Sequence, residues 1–110
     1  MGYRKKSIYL CGMDQLEIFK ALSNQTRLLI LQWLKEPEKH FPTQGDNFEP
    51  GVCVGQIQKK AGLTQSTISE YLSILQRAGL IESTRIGQWT YYKRNAKAID
   101  ALAQLIEKEL

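Results

Sequence analysis

The residues best suited to chemistry with another molecule are a run of short polar side chains: Thr64, Gln65, Ser66, Thr67, Ser69 and Glu70. They lie between Gly62 and Gly79, where Ile68, Leu72 and Leu75 recur at helical spacing and Tyr71 and Ile74 widen the apolar stripe. Gly62 can take the positive φ that ends a preceding helix. Thr64 stands where an N-cap belongs, its hydroxyl able to accept from an amide of the first turn. A helix kept only for solubility more often carries lysine–glutamate pairs four residues apart. Short donors and acceptors near a helix N-terminus suit the base edges of a DNA major groove instead, where a glutamine pairs bidentately with adenine and a glutamate accepts from cytosine.

Other chemistries are poorly served. There is no nucleophile–base constellation and no glycine-rich phosphate loop, and His40, the single histidine, is stranded among Lys, Glu and Pro, so an enzyme is not predicted. Two cysteines, Cys11 and Cys53, are too few for a secreted disulfide scaffold and fit a reducing interior. The simplest reading of Cys53 is a small core residue, and of Cys11 an idle one. The 110 residues make one small domain, and 43% hydrophobic content supports a marginal core that gains from dimerisation. A net charge of +4 and an isoelectric point near 9.1 fit an anionic partner, although a basic domain without one would share them. The apolar run from Ile8 to Met13 is short and broken by Cys11 and Gly12, so neither a signal peptide nor a membrane span is predicted, and the expected location is cytoplasmic.

The elements that must position the polar run follow from periodicity. Residues 1–12 lack it and read as a flexible arm; residues 13–110 form the domain. Met13–Leu22 carries Leu16, Phe19 and Leu22 at helical spacing, and Asn24 caps a second helix, Gln25–Lys35, apolar almost all round and therefore central. Glu36–Gly51 holds all three prolines and reads as a long loop. Val52–Ala61 reads as a short helix, and with the glycine turn and the polar helix it makes a helix-turn-helix. Leu80–Arg85 and Trp89–Lys93 are β-prone and joined through Gly87, a hairpin placed as a wing. Within it Trp89, Tyr91 and Tyr92 have the faces to stack on bases, but strand alternation favours wing packing. Asn95 then caps Ala96–Leu110, whose apolar face of Ile99, Leu102, Ala103, Ile106 and Leu110 has no evident partner in so small a domain and predicts a dimer seam. The fold class is mainly α, a winged helix-turn-helix of about five helices and a two-stranded wing.

Four blocks of text resemble the ArsR/SmtB-type family of bacterial repressors: Phe19–Leu31, Gly62–Ser69, Leu75–Ile81 and Gly87–Tyr92. The resemblance covers most of Asp14–Arg94 in the family's order. It implies a homodimer, paired through the terminal helices with Leu16 and Phe19 joining Ile99, Leu102, Ala103 and Ile106, that binds a double-stranded operator in the bacterial nucleoid and is released by a chemical signal. It further implies that Gln65, Ser66, Ser69 and Glu70 reach bases, that Thr64 and Thr67 bond phosphate or cap the helix, and that Arg85 reaches the minor groove or phosphate from the wing. Lys59, Lys60, Arg77 and Lys93 would add non-specific affinity. The family's metal ligands match only in part. Where metal-sensing relatives carry Cys-Val-Cys, this chain has Cys53-Val54-Gly55, and its last helix offers Asp100 and Glu107 without histidine, a poor zinc set. No cofactor is required, but the variant of the family that joins arm and helix cysteines implies Cys11 with Cys53 as a site for As(III) or another soft ion, or as a redox pair. A winged-helix regulator without cysteine sensing, and a winged-helix protein–protein module, are the alternatives. The Glu36–Gly51 loop exceeds the family's usual connection, and its role stays open at this point.

Overall fold

The computed structural model describes residues 15–45 and 47–110. The arm expected over residues 1–12, with Cys11, lies outside them. Helix α1 spans Gln15–Leu22 and α2 spans Gln25–Lys35. Asn24 caps α2 as its sequence position predicts, its side chain accepting from the Arg27 amide at 3.0 Å. Helix α4, Val54–Ala61, ends at Gly62, whose φ of 68° is left-handed and lets its amide bond back to the Gln58 carbonyl. Helix α5, Gln65–Arg77, follows at once, so α4, the turn and α5 form the helix-turn-helix. Strands β2, Ile81–Ile86, and β3, Trp89–Arg94, pair antiparallel with Ile86 opposite Trp89 at the tip. Helix α6, Ala96–Glu109, closes the chain.

Helix α2 is central: it touches α1, α4, α5 and β3. Its Ile30, Leu31 and Leu34 are buried, together with Ile18 and Ala21 of α1, Ile57 of α4 and Ile68, Leu72 and Leu75 of α5. Leu28, on its far side, is 41% exposed, so the burial is broad but not complete. Burying large aliphatic side chains of this kind contributes about 1.5–3 kcal/mol each, and the described residues leave no polar side chain buried to offset it. Asn95 ties the wing to the recognition half of the fold. Its Nδ2 donates to the Gly79 carbonyl, its amide donates to the Leu80 carbonyl, and its Oδ1 accepts from the Ala98 amide to cap α6.

Two expectations are corrected between α2 and α4. Glu36–Gly51 is not a structureless loop: Pro37–His40 forms a one-turn helix, α3, and Pro42–Gln44 a 3-10 turn, each begun by a proline at its first position, where a missing amide costs nothing. Phe41 between them is 2% exposed and packs edge-on against Trp33, ring centroids 6.3 Å apart. The helix expected from Val52 begins at Val54. Val52 and Cys53 are instead a two-residue strand, β1, pairing with Tyr92 and Tyr91 on the free edge of β3, so the sheet has three strands in the order β1-β3-β2. Buried Val52 gains an apolar neighbour and a strand partner that no local signal announces. Gly51 makes the approach possible: its φ is +117°, and a Cβ there would lie 2.3 Å from the Tyr92 carbonyl oxygen.

Candidate nucleic-acid interface

The cap of α5 is built from its own first turn. Thr64 has extended backbone and its Oγ1 accepts from the Thr67 amide at 3.2 Å while donating to Thr67 Oγ1 at 2.9 Å; Ser66 Oγ lies 3.3 Å from the same hydroxyl. The two threonines are therefore occupied in fixing the helix start. Burial of Ile68, Leu72 and Leu75 then decides which face turns outward, and Gln65, Ser66, Ser69 and Glu70 are all exposed on it. Gln65, Ser69 and Glu70 have no side-chain partner among the described residues. The exposed stripe continues through Ser73 and Gln76 to Arg77; the sequence reading had Arg77 but missed Ser73 and Gln76, although the spacing of Ser69 and Ser73 carries the stripe on.

The cations expected to help are spread rather than gathered. Arg77 lies in the last turn of α5, about 18 Å along the axis from Gln65, where its charge complements the helix C-terminus. Lys59 is exposed on α4. The Lys60 ammonium sits 5.3 Å from the Trp33 ring centroid and 5.9 Å from that of Phe41, so its charge is engaged within the fold. Arg85 is exposed beside the wing turn, its Nε donating to the Gly87 carbonyl at 3.3 Å, and Lys93 stands opposite Glu82 across the hairpin. Trp89 departs from the packing expected of it. It is 53% exposed and Ile86 51%, while Tyr91 and Tyr92 are half-buried. The wing tip thus presents two apolar side chains next to one arginine.

Arg27 is a positioning residue that the sequence reading did not single out. Its Nε donates to the Ala21 carbonyl at 2.7 Å and its Nη2 to the Lys20 carbonyl at 3.1 Å, which satisfies the C-terminus of α1. The same guanidinium lies 5.2 Å from the Tyr71 ring centroid, joining α1 to α5. An arginine three residues past a helix N-cap is the only cue the sequence offers.

Of the cysteines, Cys53 is half-buried and free at the N-cap of α4, its amide donating to Gln44 Oε1 at 3.0 Å. Among the described residues no three His, Cys, Asp or Glu side chains come together as metal ligands. The described residues alone therefore do not fit a closed thiophilic-metal site. The residues expected at a dimer seam divide. Leu16 is 57% exposed, Ile106 42%, and Ala103 is exposed, whereas Phe19 and Ile99 are half-buried and Leu102 is buried in its own chain's core. No helix among the described residues is long and apolar enough to cross a membrane.

Comparison with known proteins agrees with this geometry. Residues 49–83, which run from just before β1 through the helix-turn-helix into β2, match the bacterial regulatory protein, arsR family. The chain is 56% identical over 100 residues to the uncharacterized HTH-type transcriptional regulator YbzH of Bacillus subtilis, covering 89% of this chain and 100% of that one. It is 33% identical over 84 residues to the arsenical resistance operon repressor of the same organism, covering 76% and 69%. Among solved structures it resembles the homodimeric winged helix-turn-helix DNA-binding domain of Mb0332 from Mycobacterium bovis, with 30% identity, a TM-score of 0.59 and coverage of 86% and 78%. The chain belongs to the ArsR family, and it is a winged helix-turn-helix transcriptional regulator.

Proposed function

We propose that the protein is a homodimeric repressor that binds a double-stranded operator through α5 and the wing and leaves it on a thiol-directed signal. The observation that carries the reading is the N-terminal end of α5, where Gln65, Ser69 and Glu70 are exposed and uncommitted on a helix whose start is locked by Thr64. Gln65 and Glu70 supply base-edge recognition, Ser66 and Ser69 shorter contacts, and Arg85 reaches the minor groove or phosphate from the wing. Lys59 and Lys93 add affinity without specificity, and Arg77 and Lys60 contribute through the field they create. A polar, short-chained face speaks for duplex DNA over a protein partner, for which an apolar face would be expected.

Dimerisation is supported by the apolar side chains exposed on one chain, Leu16, Ala103 and Ile106, and by the homodimeric state of the Mycobacterium bovis relative. Phe19, Ile99 and Leu102 then act from beneath, holding the helices that present the seam. A two-fold dimer reads two half-sites about 34–36 Å apart, so the operator is an inverted repeat.

The release signal acts at Cys53, which sits at the joint between β1 and α4. A group added to its sulfur disturbs the joint that sets α4, and with it α5. A metalloid held there needs thiolates from beyond the described residues, Cys11 or an added thiol among them. The test is fluorescence anisotropy with the gene's own upstream duplex at several salt concentrations, thiols reduced, then repeated with As(III), Cd(II) or a mild oxidant. Tight binding that falls with salt and collapses on thiol modification, but not in Cys53→Ser, is expected. Binding no better than to random duplex would overturn the operator reading. Binding indifferent to every thiol reagent would remove the thiol signal and leave a regulator without cysteine sensing.

A further inference from the structure

Beside the sheet, where β1 stops, the chain encloses a half-open cavity of about 250 Å³. Its origin is topological. Strand β1 covers the edge of β3 only at Tyr91 and Tyr92, and at Gly51 the chain turns away, its amide bonding to the Phe48 carbonyl. The edge of β3 beyond Tyr92 therefore faces the end of α2 across a gap. Leu34, Phe48, Val52 and Tyr92 line that gap, giving it an apolar wall, and Lys35, Lys93 and Arg94 complete the lining; of the two from β3, Arg94 shares the face of Tyr92 and Lys93 alternates to the other. No acidic residue lines it among the described residues, and none of the three cationic side chains has an ion-pair or hydrogen-bond partner there. Lys35 is the last-turn cation that a helix C-terminus favours. Arg94 comes from a different element and exceeds that need.

We propose that this cavity is an effector site for a small organic carboxylate with an aromatic or short aliphatic body, bound by Lys35, Arg94 and the apolar wall. Drug-sized sites run to roughly 300–1,000 Å³, so a single ring or a short chain is the size that fits. The site is separate from Cys53 chemistry and needs no thiol. Its regulatory consequence rests on the DNA-binding reading above. Gly51 and Val52 run directly into the N-cap of α4, and the Gln44 side chain bridges the two sides of β1, donating to the Gly51 carbonyl at 3.0 Å and accepting from the Cys53 amide at 3.0 Å. A ligand wedged against Val52 bears on that joint, and so on the placement of the helix-turn-helix. By linkage, operator DNA and ligand then weaken each other by the same factor.

The test uses the full chain with thiols reduced and has two arms. Without DNA, benzoate, hexanoate and the neutral benzyl alcohol are titrated while backbone amide shifts are followed by NMR. Saturable one-site binding of a carboxylate is expected, with shifts centred on Phe48, Val52, Tyr92 and Arg94. Affinity should be at least about ten-fold weaker for benzyl alcohol, and at least about ten-fold weaker for carboxylate in Lys35→Gln/Arg94→Gln, where only exposed or half-exposed charges change. Lack of saturation, shifts scattered over surface lysines, equal binding of benzyl alcohol, or indifference to the double variant would each overturn the site. With labelled operator duplex, saturating carboxylate should weaken DNA binding at least about five-fold, the lower end of ordinary coupling. Binding to the protein with no effect on a duplex that the protein does hold would overturn the regulatory role. Failure to hold the duplex at all would instead be a failure of the DNA-binding reading, and the first arm would still decide the site.

Discussion

Two polar stretches of this chain are treated in opposite ways. Between α2 and α4, and on the α4 surface beside it, polar side chains are engaged with the fold: Thr43 Oγ1 donates to Gln56 Oε1 at 2.8 Å, Gln44 bridges Gly51 and Cys53, and Lys60 covers Trp33 and Phe41. At the start of α5 the cap is made by Thr64 and Thr67 with Ser66 beside them, and Gln65, Ser69 and Glu70 are left without partners among the described residues. The first stretch spends its hydrogen-bonding capacity on shape. The second fixes its position with its first-turn hydroxyls and keeps the rest for contact, which is the division of labour a preorganised binding surface needs.

That contrast breaks most severely at Gly51. Gly51→Ala places a Cβ against the Tyr92 carbonyl at a φ of +117°, so β1 must leave β3. A loss of about 3 kcal/mol or more is expected in urea unfolding, and operator affinity should fall with it. Gln65→Ala tests the other side. It should weaken operator binding by about 2 kcal/mol, measured by anisotropy, while unfolding stability moves by less than about 0.5 kcal/mol. Gln44→Ala should show the reverse signature, a stability loss of about 1.5 kcal/mol from two bonds with both backbone partners left half-buried. Thr64→Ala lies between them, costing about 1 kcal/mol of stability through the lost cap and a comparable share of operator affinity, because the cap sets where Gln65 points. Smallest is a pH effect. Burial pushes the Tyr92 phenol above its ordinary value, so the folded state favours the protonated ring. That contribution is intact below pH 10 and is lost as pH rises through the folded value, and Tyr92→Phe should flatten the alkaline limb of a thermal-stability profile.

How legible each region was in the sequence follows the same division. The caps at Asn24, Thr64 and Asn95, the turn at Gly62 and the stripe of Ile68, Leu72 and Leu75 are local signals, read over a few residues, and the structure has each of them in place. Glu36–Gly51 showed no periodicity because α3 and the 3-10 turn are single turns, and β1 is two residues long with its partner some forty residues further on. Non-local pairing of that kind leaves no trace in spacing. The exposed polar run of α5 was legible, whereas Arg27 was not, since both of its anchors are backbone carbonyls that any sequence possesses. Strand alternation misled at Trp89: the rule assumes a sheet covered on one face, and the wing tip extends past the core that would cover it.

The chain has two tryptophans, and the fold puts them in unlike surroundings. Trp33 is half-buried beside Phe41 and under the Lys60 ammonium, while Trp89 stands open at the wing tip. Their emission should therefore be spectrally distinct, the wing indole red-shifted and accessible to iodide, the other shielded from it. A pair of single-tryptophan variants, Trp33→Phe and Trp89→Phe, turns the molecule into its own two-channel optical reporter. One channel brightens or dims as the wing meets a duplex, and the other follows the α3 side, with no dye attached to either.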